Sequence, residues 1–269
     1  MPTLYIVATP IGNLEDISLR ALRTLGAVEL IAAEDTRKTR QLLAAYGLKR
    51  PITSYHEHNK MGKLPAILSR LASGDVALVS EAGTPGISDP GYELVTAAIE
   101  RGIPVVAIPG PSALVSALAV SGLPTDQFLY LGFLPRRKGP RRRLLERVAA
   151  EERTLVAFEA PHRLTAALTD ILECLGDRRL AVCRELSKLH EEVFRGAVSA
   201  ARDHFQEPIG EFTLVIAGQP REAAALTAPV MAELRRMHDQ GLTVKEAVSH
   251  LARETGLPRR ELYRAWHEL

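Results

Sequence analysis

Three short apolar segments of the chain each end in a loop rich in glycine and proline. They end at Ala8, Val79 and Ile108, and the loop after Val79 is the longest, with three glycines and two prolines between Ser80 and Gly91. In an open α/β sheet the carboxyl ends of parallel strands face a common crevice, where ligands bind. Glycine lets the backbone approach a ligand closely, and proline reduces the entropy lost on binding. The pattern therefore predicts a ligand cleft built from these loops.

Strand-like and helix-like segments alternate through the first half of the chain, which is typical of a mostly parallel sheet. Ser88, Asp89 and Pro90 mark the start of one helix, because a cap residue precedes a proline at the first helical position. The predicted strands are 4–8, 28–33, 76–79 and 105–108, and the predicted helices are 18–25, 36–46, 62–73, 90–101 and 112–121.

The second part of the chain mixes strands and helices less regularly. Only four residues separate the strands predicted at 180–186 and 191–195, which indicates a hairpin and therefore a mixed sheet. The remaining elements are strands at 128–133, 154–158 and 212–218 and helices at 141–150, 161–175 and 197–206.

The last part of the chain has only helical patterns, over 229–240, 243–255 and 258–269. Thr243 and Glu246 have the spacing of a capping box. The short turn between the last two helices is typical of a helix-turn-helix bundle. We therefore predict an α/β protein with an N-terminal domain at 1–121, a second α/β domain at 122–220 and a helical domain at 226–269.

Composition excludes several classes of protein. With 269 residues, 46% of them hydrophobic, the chain is long enough for two domains with substantial cores. Its apolar runs are far shorter than the roughly 20 residues that span a bilayer, so no membrane partner and a cytoplasmic location are expected. Cys174 and Cys183 have no metal-site spacing and are interpreted as core thiols. The net charge of +2 says little about partners.

Seven motifs between Leu4 and Gly218 occur in an order that resembles the tetrapyrrole methylase superfamily. Within it, the chain is similar to the branch that methylates small-subunit ribosomal RNA. The motifs are Ala8-Thr9-Pro10-Ile11-Gly12-Asn13-Leu14, Ala33-Glu34-Asp35-Thr36-Arg37, Ser80 to Gly91, Pro109-Gly110-Pro111-Ser112-Ala113, Phe158-Glu159-Ala160-Pro161-His162-Arg163, Arg184-Glu185-Leu186 and Gly210-Glu211-Phe212-Thr213-Leu214.

The resemblance implies two α/β domains with S-adenosylmethionine in the cleft between them, and a homodimer. It also implies 2′-O-methylation of a cytidine ribose in the decoding region of 16S rRNA, with the small ribosomal subunit as partner. Relatives that modify tetrapyrroles carry Gly-Asp-Pro where this chain has Gly83-Thr84-Pro85, which argues against a porphyrinoid substrate. The alternatives are methylation of a small tetrapyrrole and a non-catalytic RNA-binding assembly protein.

The resemblance also implies which residues contact the cofactor, mostly through backbone groups. For Glu81 and Glu185 the alternative is that each is a structural cap or a surface carboxylate. The matching positions are Pro10, Glu81, Ala82, Gly83, Thr84, Pro85, Ser112, Ala113, Phe158, Glu159, Glu185, Leu186, Phe212 and Thr213.

Methyl transfer to a hydroxyl is an in-line displacement that alignment in a dry cleft accelerates, so it requires no metal. A nearby base would assist the weakly acidic ribose hydroxyl, and the candidates for catalysis are Glu34, Asp35, Arg37 and His56. The sequence does not identify which of them is the base. His56 and His58 should project to opposite faces of an extended segment, and with no third ligand we expect no metal site.

Two basic segments are candidates for RNA binding, because such runs suit phosphate contacts. The alternatives are a solvated helix start for the first segment and a charged surface or dimer contact for the second. The candidate residues are Arg136, Arg137, Lys138, Arg141 and Arg142 in the first, and Arg259 and Arg260 in the tail.

Overall fold

The computed structural model describes residues 1–220 and 226–269. The chain divides into two compact units, Met1–Gln219 and Pro220–Leu269. The first unit contains two five-stranded sheets, and the second contains three helices. The fold is therefore α/β with a C-terminal helical bundle, as predicted. The domain boundary at residues 121 and 122 stays a prediction.

The first sheet is entirely parallel, with the strand order β3-β2-β4-β1-β5. Its strands are β1 (Leu4–Val7), β2 (Leu30–Ala33), β3 (Ile52–Ser54), β4 (Val76–Val79) and β5 (Val105–Ile108). The helices of this half are α1 (Leu19–Ala27), α2 (Thr36–Ala45), α3 (Lys60–Leu71), α4 (Tyr92–Glu100) and α5 (Ala113–Ser121).

The central strand β4 is buried along its whole length. Its residues alternate between two hydrophobic clusters, with Ala77 and Val79 in one and Val76 and Leu78 in the other. Both faces of the sheet are thus covered, which is the normal environment of parallel strands and explains their continuous apolar runs.

Strand β3 was not predicted from the sequence. It has three residues, follows Pro51 and lies at the edge of the sheet, where Ile52 pairs with Ile31 of β2. A three-residue segment is too short to show an alternating pattern, so its pairing with β2 rather than its own sequence makes it a strand.

The second sheet is mixed, with the order β6-β7-β10-β8-β9. Only β6 and β7 pair in parallel; the other neighbours are antiparallel. The predicted hairpin is confirmed as β8 and β9, although its loop is longer than four residues. The strands are β6 (Phe128–Phe133), β7 (Thr154–Glu159), β8 (Arg179–Arg184), β9 (Glu192–Ala197) and β10 (Phe212–Ile216), and the helices are α6 (Lys138–Arg147), α7 (Leu164–Leu175) and α8 (Val198–His204).

Helix α5 connects the two halves of the first unit. Its Ala117 and Leu118 belong to one buried cluster with Val156, Ala181 and Val215 of the second sheet. The opposite face of that sheet packs against α6, α7 and α8 through a larger cluster. The second sheet is therefore covered on one side by a helix that directly follows the first sheet, which brings the strand ends of both sheets together.

The C-terminal unit is a three-helix bundle, α9 (Ala228–Asp239), α10 (Val244–Thr255) and α11 (Arg259–His267). The predicted capping box of Thr243 and Glu246 is present. Gly256 ends α10 with φ +71°, a left-handed conformation that favours glycine. In the part of the chain that the structure describes, no helix has the length and apolar character needed to cross a membrane.

Candidate active site

A cavity of about 450 Å³ lies where the strand ends of the two sheets meet. Because β10 runs antiparallel to β7 and β8, its first residue, Phe212, pairs with Glu159 and Arg184 at their ends. The cavity is lined by Ile11, Glu34, Glu81, Ala82, Gly83, Thr84, Ile87, Ser88, Asp89, Ser112, Ala113, Phe133, Phe158, Glu159, Ala160, Pro161, Cys183, Leu186, Glu211, Phe212 and Thr213.

Hydrogen bonds tie together the three loops of the first sheet. The backbones of Thr9 and Gly83 exchange two bonds, of 2.9 and 3.0 Å, and the Thr84 hydroxyl donates to the carbonyl of Pro111 over 3.3 Å. Gly83 has φ +81°, which allows the loop to turn without the cost that a Cβ would impose. The loops therefore present fixed backbone groups to the cavity.

Polar contacts also join the two halves around the cavity. The hydroxyls of Ser88 and Tyr130 lie 2.6 Å apart, and the Ser187 hydroxyl contacts the carboxylate of Asp16. Ser88 and Ser187 both have a positive φ, of 64° and 69°. A non-glycine residue in this region is strained and is held there by its surroundings. These two serines thus link the two halves of the unit near the cavity.

Aromatic rings form one wall of the cavity. Phe158 packs edge-to-face against Tyr130 and Phe133, with centroids 5.4 and 5.5 Å apart. Phe133 is 54% exposed although it is apolar, whereas the neighbouring Leu134 is buried. Of these two adjacent residues, only Phe133 is therefore available to stack on a ring of a ligand.

Glu159 is a buried carboxylate whose hydrogen bonding is incomplete. Its Oε1 accepts from the backbone N–H of Ala160 over 2.8 Å and lies 2.5 Å from Arg163, but its Oε2 has no partner. Burial raises the pKa of this carboxyl. An unsatisfied acceptor fits a ligand that carries N–H or O–H donors. Together with the size of the cavity, this arrangement fits the predicted S-adenosylmethionine.

All but three of the positions matched to the family's cofactor contacts line the cavity. Pro10 adjoins the lining residue Ile11, and Pro85 is buried within the long loop. The Glu185 carboxylate accepts from the Lys188 ammonium over 2.9 Å and from a backbone N–H over 2.8 Å. This carboxylate stabilises the loop after β8, which is the structural alternative considered for it.

The candidate catalytic residues occupy different places. Glu34 lines the cavity, and its carboxylate accepts from the backbone N–H of Glu81 over 2.9 Å. Asp35 caps α2, where bonds from the N–H groups of Lys38 and Arg37 lower the pKa of its carboxyl. That carboxylate is therefore a weak base. The Arg37 side chain is 86% exposed.

The expectation that His56 and His58 project to opposite faces of an extended segment was wrong. Residues 56–59 form a turn rather than an extended segment, because the N–H of Asn59 donates to the carbonyl of His56. The rings of His56 and His58 therefore lie edge-to-face, 6.1 Å apart, and neither lines the cavity. Among residues 1–220 and 226–269, no group of His, Cys, Asp or Glu has an arrangement suited to a metal.

Sequence reasoning missed Asp89 as a site residue and interpreted it only as a mark of a helix start. It lines the cavity, and its pKa is raised to about 7. Burial is the main cause and the charge of Glu34 the next, while the Ser80 hydroxyl opposes them. The only signal in the sequence is an aspartate inside the long loop. Glu34, which also contributes to the raised pKa, lies far earlier in the chain.

The first basic segment divides into exposed and buried residues. Arg136, Arg137 and Lys138 are exposed and follow closely after the cavity residue Phe133. The prediction that Arg141 binds RNA was wrong, because its side chain is buried and paired with Asp170 of α7.

Other basic candidates are more accessible. Arg142 is partly exposed and pairs with Glu173. In the C-terminal unit, Arg259 and Arg260 lie exposed at the start of α11.

Comparison with known proteins shows strong similarity. Residues 3–201 match the model of a family described as Tetrapyrrole (Corrin/Porphyrin) Methylases. The protein named ribosomal RNA small subunit methyltransferase I is 50% identical in a Synechocystis species, over 100% of this chain and 99% of its own length. The Thermotoga maritima protein of that name is 53% identical, over 81% of this chain and all of its own.

Solved structures support the fold. The crystal structure of uroporphyrin-III-C-methyltransferase from Thermus thermophilus has a TM-score of 0.57. It is 22% identical and covers 81% of this chain and 94% of its own. At this level of identity the likeness establishes a shared architecture and leaves the substrate open.

Proposed function

Because the chain belongs to the tetrapyrrole methylase family, whose members use S-adenosylmethionine, we propose that it methylates small-subunit ribosomal RNA. The observation that carries this proposal is the 50% identity to the Synechocystis ribosomal RNA small subunit methyltransferase I, over 100% of this chain and 99% of that protein. The acceptor we propose is the ribose 2′-hydroxyl of a cytidine in the decoding region of 16S rRNA. This finer assignment rests on the sequence resemblance described above.

The cavity supplies groups for holding the cofactor. We assign the backbone of Ala82, Gly83 and Thr84 to the donor's methionine end, since fixed N–H and C=O groups suit a carboxylate and a sulfonium. Phe158 and Leu186 provide apolar contact for adenine, and the free Oε2 of Glu159 accepts a hydrogen bond from the ligand. Bound S-adenosylmethionine supplies an electrophilic methyl group. The protein supplies alignment and excludes water.

The exposed basic residues are suited to an RNA acceptor. Arg136, Arg137 and Lys138 lie shortly after Phe133 in the chain, so phosphate binding there would bring RNA to the cavity mouth. Phosphate contacts position a nucleic acid without reading its sequence. Arg259 and Arg260 of the C-terminal unit offer a second contact of the same kind.

The test uses small ribosomal subunits from a strain that lacks this protein. Purified protein and isotopically labelled S-adenosylmethionine are added, and the methylated nucleotide is mapped by mass spectrometry. We expect one 2′-O-methylcytidine in the decoding region. A protein that binds the cofactor and methylates a uroporphyrinogen-type compound but not the subunits would refute the proposal. A protein that binds RNA but no cofactor would do the same.

Two further expectations accompany the proposed function. A ribosomal substrate places the protein in the cytoplasm, as the sequence predicts. We also propose a homodimer, which sedimentation equilibrium measures directly. A purely monomeric protein at micromolar concentration would contradict the homodimer and leave the proposed reaction intact.

A further inference from the structure

Asp89 has a fixed position in the cavity wall. It lies near the end of the loop after β4, three residues before α4 begins. The loop folds back on itself there, since a Cβ built on Gly91 would lie 3.2 Å from Gly86 Cα. The preceding residue, Ser88, is held at φ +64° and contacts the Tyr130 hydroxyl of the second sheet. The backbone that carries Asp89 is therefore tied to the second sheet through the neighbouring Ser88.

Several ionisable groups surround this carboxyl. Burial and the negative charges of Glu34 and Glu81 all disfavour the ionised form, while the Ser80 hydroxyl favours it. Glu81 is itself bound by Lys38 of α2. The remaining ionisable residues near Asp89 or around the cavity are Tyr130 on β6, Glu159 on β7, Cys183 on β8 and Glu211 before β10.

We propose that Asp89 is the general base of the methyl transfer, accepting the proton of the attacking ribose hydroxyl. This inference rests on the proposed function. As the oxygen lone pair forms the new O–CH₃ bond, the S–CH₃ bond breaks and its electron pair stays on sulfur, which becomes a neutral thioether. The hydroxyl proton passes to Asp89, which later releases it to water. Charge and atoms balance without another reactant.

The other carboxylates of the cavity accept from a backbone N–H or pair with a cation, whereas Asp89 accepts from the hydroxyl of Ser80. Glu34 accepts from a backbone N–H, Glu81 pairs with Lys38, and Glu159 pairs with Arg163. Asp35 is an N-cap with a lowered pKa. A general base works best when its pKa is near the working pH, and Asp89, at about 7, meets that condition.

The first test compares Asp89→Asn with the wild type in single-turnover methylation of small subunits. We expect the rate to fall about 10²- to 10⁴-fold, the usual contribution of a general base. The affinity for S-adenosylmethionine, measured by calorimetry, should stay within about twofold of wild type. Asp126→Asn is the matched control, because Asp126 is exposed and lies outside the cavity. An Asp89→Asn protein that keeps the wild-type rate overturns the inference.

The second test is the pH profile of the same rate. The wild-type rate should fall tenfold per unit below a midpoint near pH 7, since only the ionised carboxylate accepts a proton. Glu34→Gln removes a neighbouring negative charge, so it should move this midpoint to lower pH. A midpoint that does not move contradicts the role of Asp89.

The third test needs neither RNA nor cofactor. Burial raises the pKa of the Asp89 carboxyl to about 7 in the folded protein, whereas its ordinary value in an unfolded chain is near 3.8, so between these two pH values the folded state binds more protons. Stability should therefore decrease as pH rises through this window. Asp89→Asn has no carboxyl to titrate and so lacks this pH-dependent loss of stability. The Tm of the variant minus the Tm of the wild type should therefore increase from pH 5 to pH 8. A constant difference in Tm overturns the inference.

The outcomes separate the two proposals. A wild-type protein that binds S-adenosylmethionine but leaves subunits unmethylated would overturn the proposed function and, with it, the role of Asp89. An active wild type with an equally active Asp89→Asn variant would overturn the role of Asp89 alone.

Discussion

Removing the carboxylate of Asp170 should destabilise the first unit strongly. Its Oδ2 accepts from Arg141 Nε over 2.7 Å and lies 2.5 Å from another nitrogen of the same guanidinium. Arg141 is 4% exposed and Asp170 1% exposed. Asp170→Ala would therefore leave a buried cation without a partner, and breaking such a pair costs about 3–5 kcal/mol.

This cost converts into a measurable shift in melting temperature. For a unit of this size each kcal/mol lowers Tm by about 2–4 °C, so we expect a decrease of about 6–20 °C by differential scanning calorimetry. The double substitution Arg141→Met with Asp170→Leu should recover most of the loss, because an apolar pair avoids the desolvation of both charges.

A surface pair on the same helices provides the control. Glu173 pairs with Arg142, and both side chains are partly exposed, so Glu173→Ala should cost less than about 1 kcal/mol. If the free energy of unfolding of Asp170→Ala lies within about 1 kcal/mol of the wild-type value, the reasoning from burial is wrong.

Three further predictions concern binding. Replacing residues 136–138 with alanine should weaken RNA binding. It should also make the slope of log affinity against log salt concentration shallower by about 2, since each lost phosphate contact contributes roughly 0.7. An unchanged slope, measured by fluorescence anisotropy, would show that this segment does not contact RNA. Gly83→Val places a branched side chain at φ +81°, so calorimetry should show at least about tenfold weaker binding of S-adenosylmethionine. The control Gly47→Val also lies at positive φ but away from the cavity, and it should leave this affinity unchanged. Equal affinities of the two variants would contradict the role of the loop. Deleting residues 226–269 should leave the affinity for S-adenosylmethionine unchanged, because these residues lie in a separate compact unit. The deletion should reduce methylation of small ribosomal subunits about tenfold or more. Full activity would show that the C-terminal unit does not position RNA.

Much of the fold was predictable because its signals are local. The strands β1, β4 and β5 are continuous apolar runs of the length that a parallel sheet requires, and the loops after them supply much of the cavity lining. The capping box at Thr243 was equally visible, since both of its partners lie within four residues. Strand β3 was missed because its three residues are too few to show an alternating pattern, so that only its pairing with β2 identifies it as a strand.

The site residues illustrate the same division. Arg141 and Arg142 are neighbours in one basic run, yet the first is buried against α7 and the second reaches the surface. Helical geometry turns successive residues by about 100°, but the packing of α6 decides which direction is inside. Similarly, the sequence pointed to Glu34 and Asp35 as candidate bases, whereas Asp89 acquires its raised pKa from burial and, next, from the negative charge of Glu34, which follows β2.

The sequence by itself determined the alternating elements, the loops of the cleft and the likeness to a methylase family, because each depends on residue order and spacing. Tertiary structure alone decided which side chains lose their water and which charges become neighbours. Burial and Coulomb interactions depend on distance in space, and residues far apart in the chain provide both. The titration of Asp89 and the ion pair of Arg141 and Asp170 therefore emerge only in the folded protein.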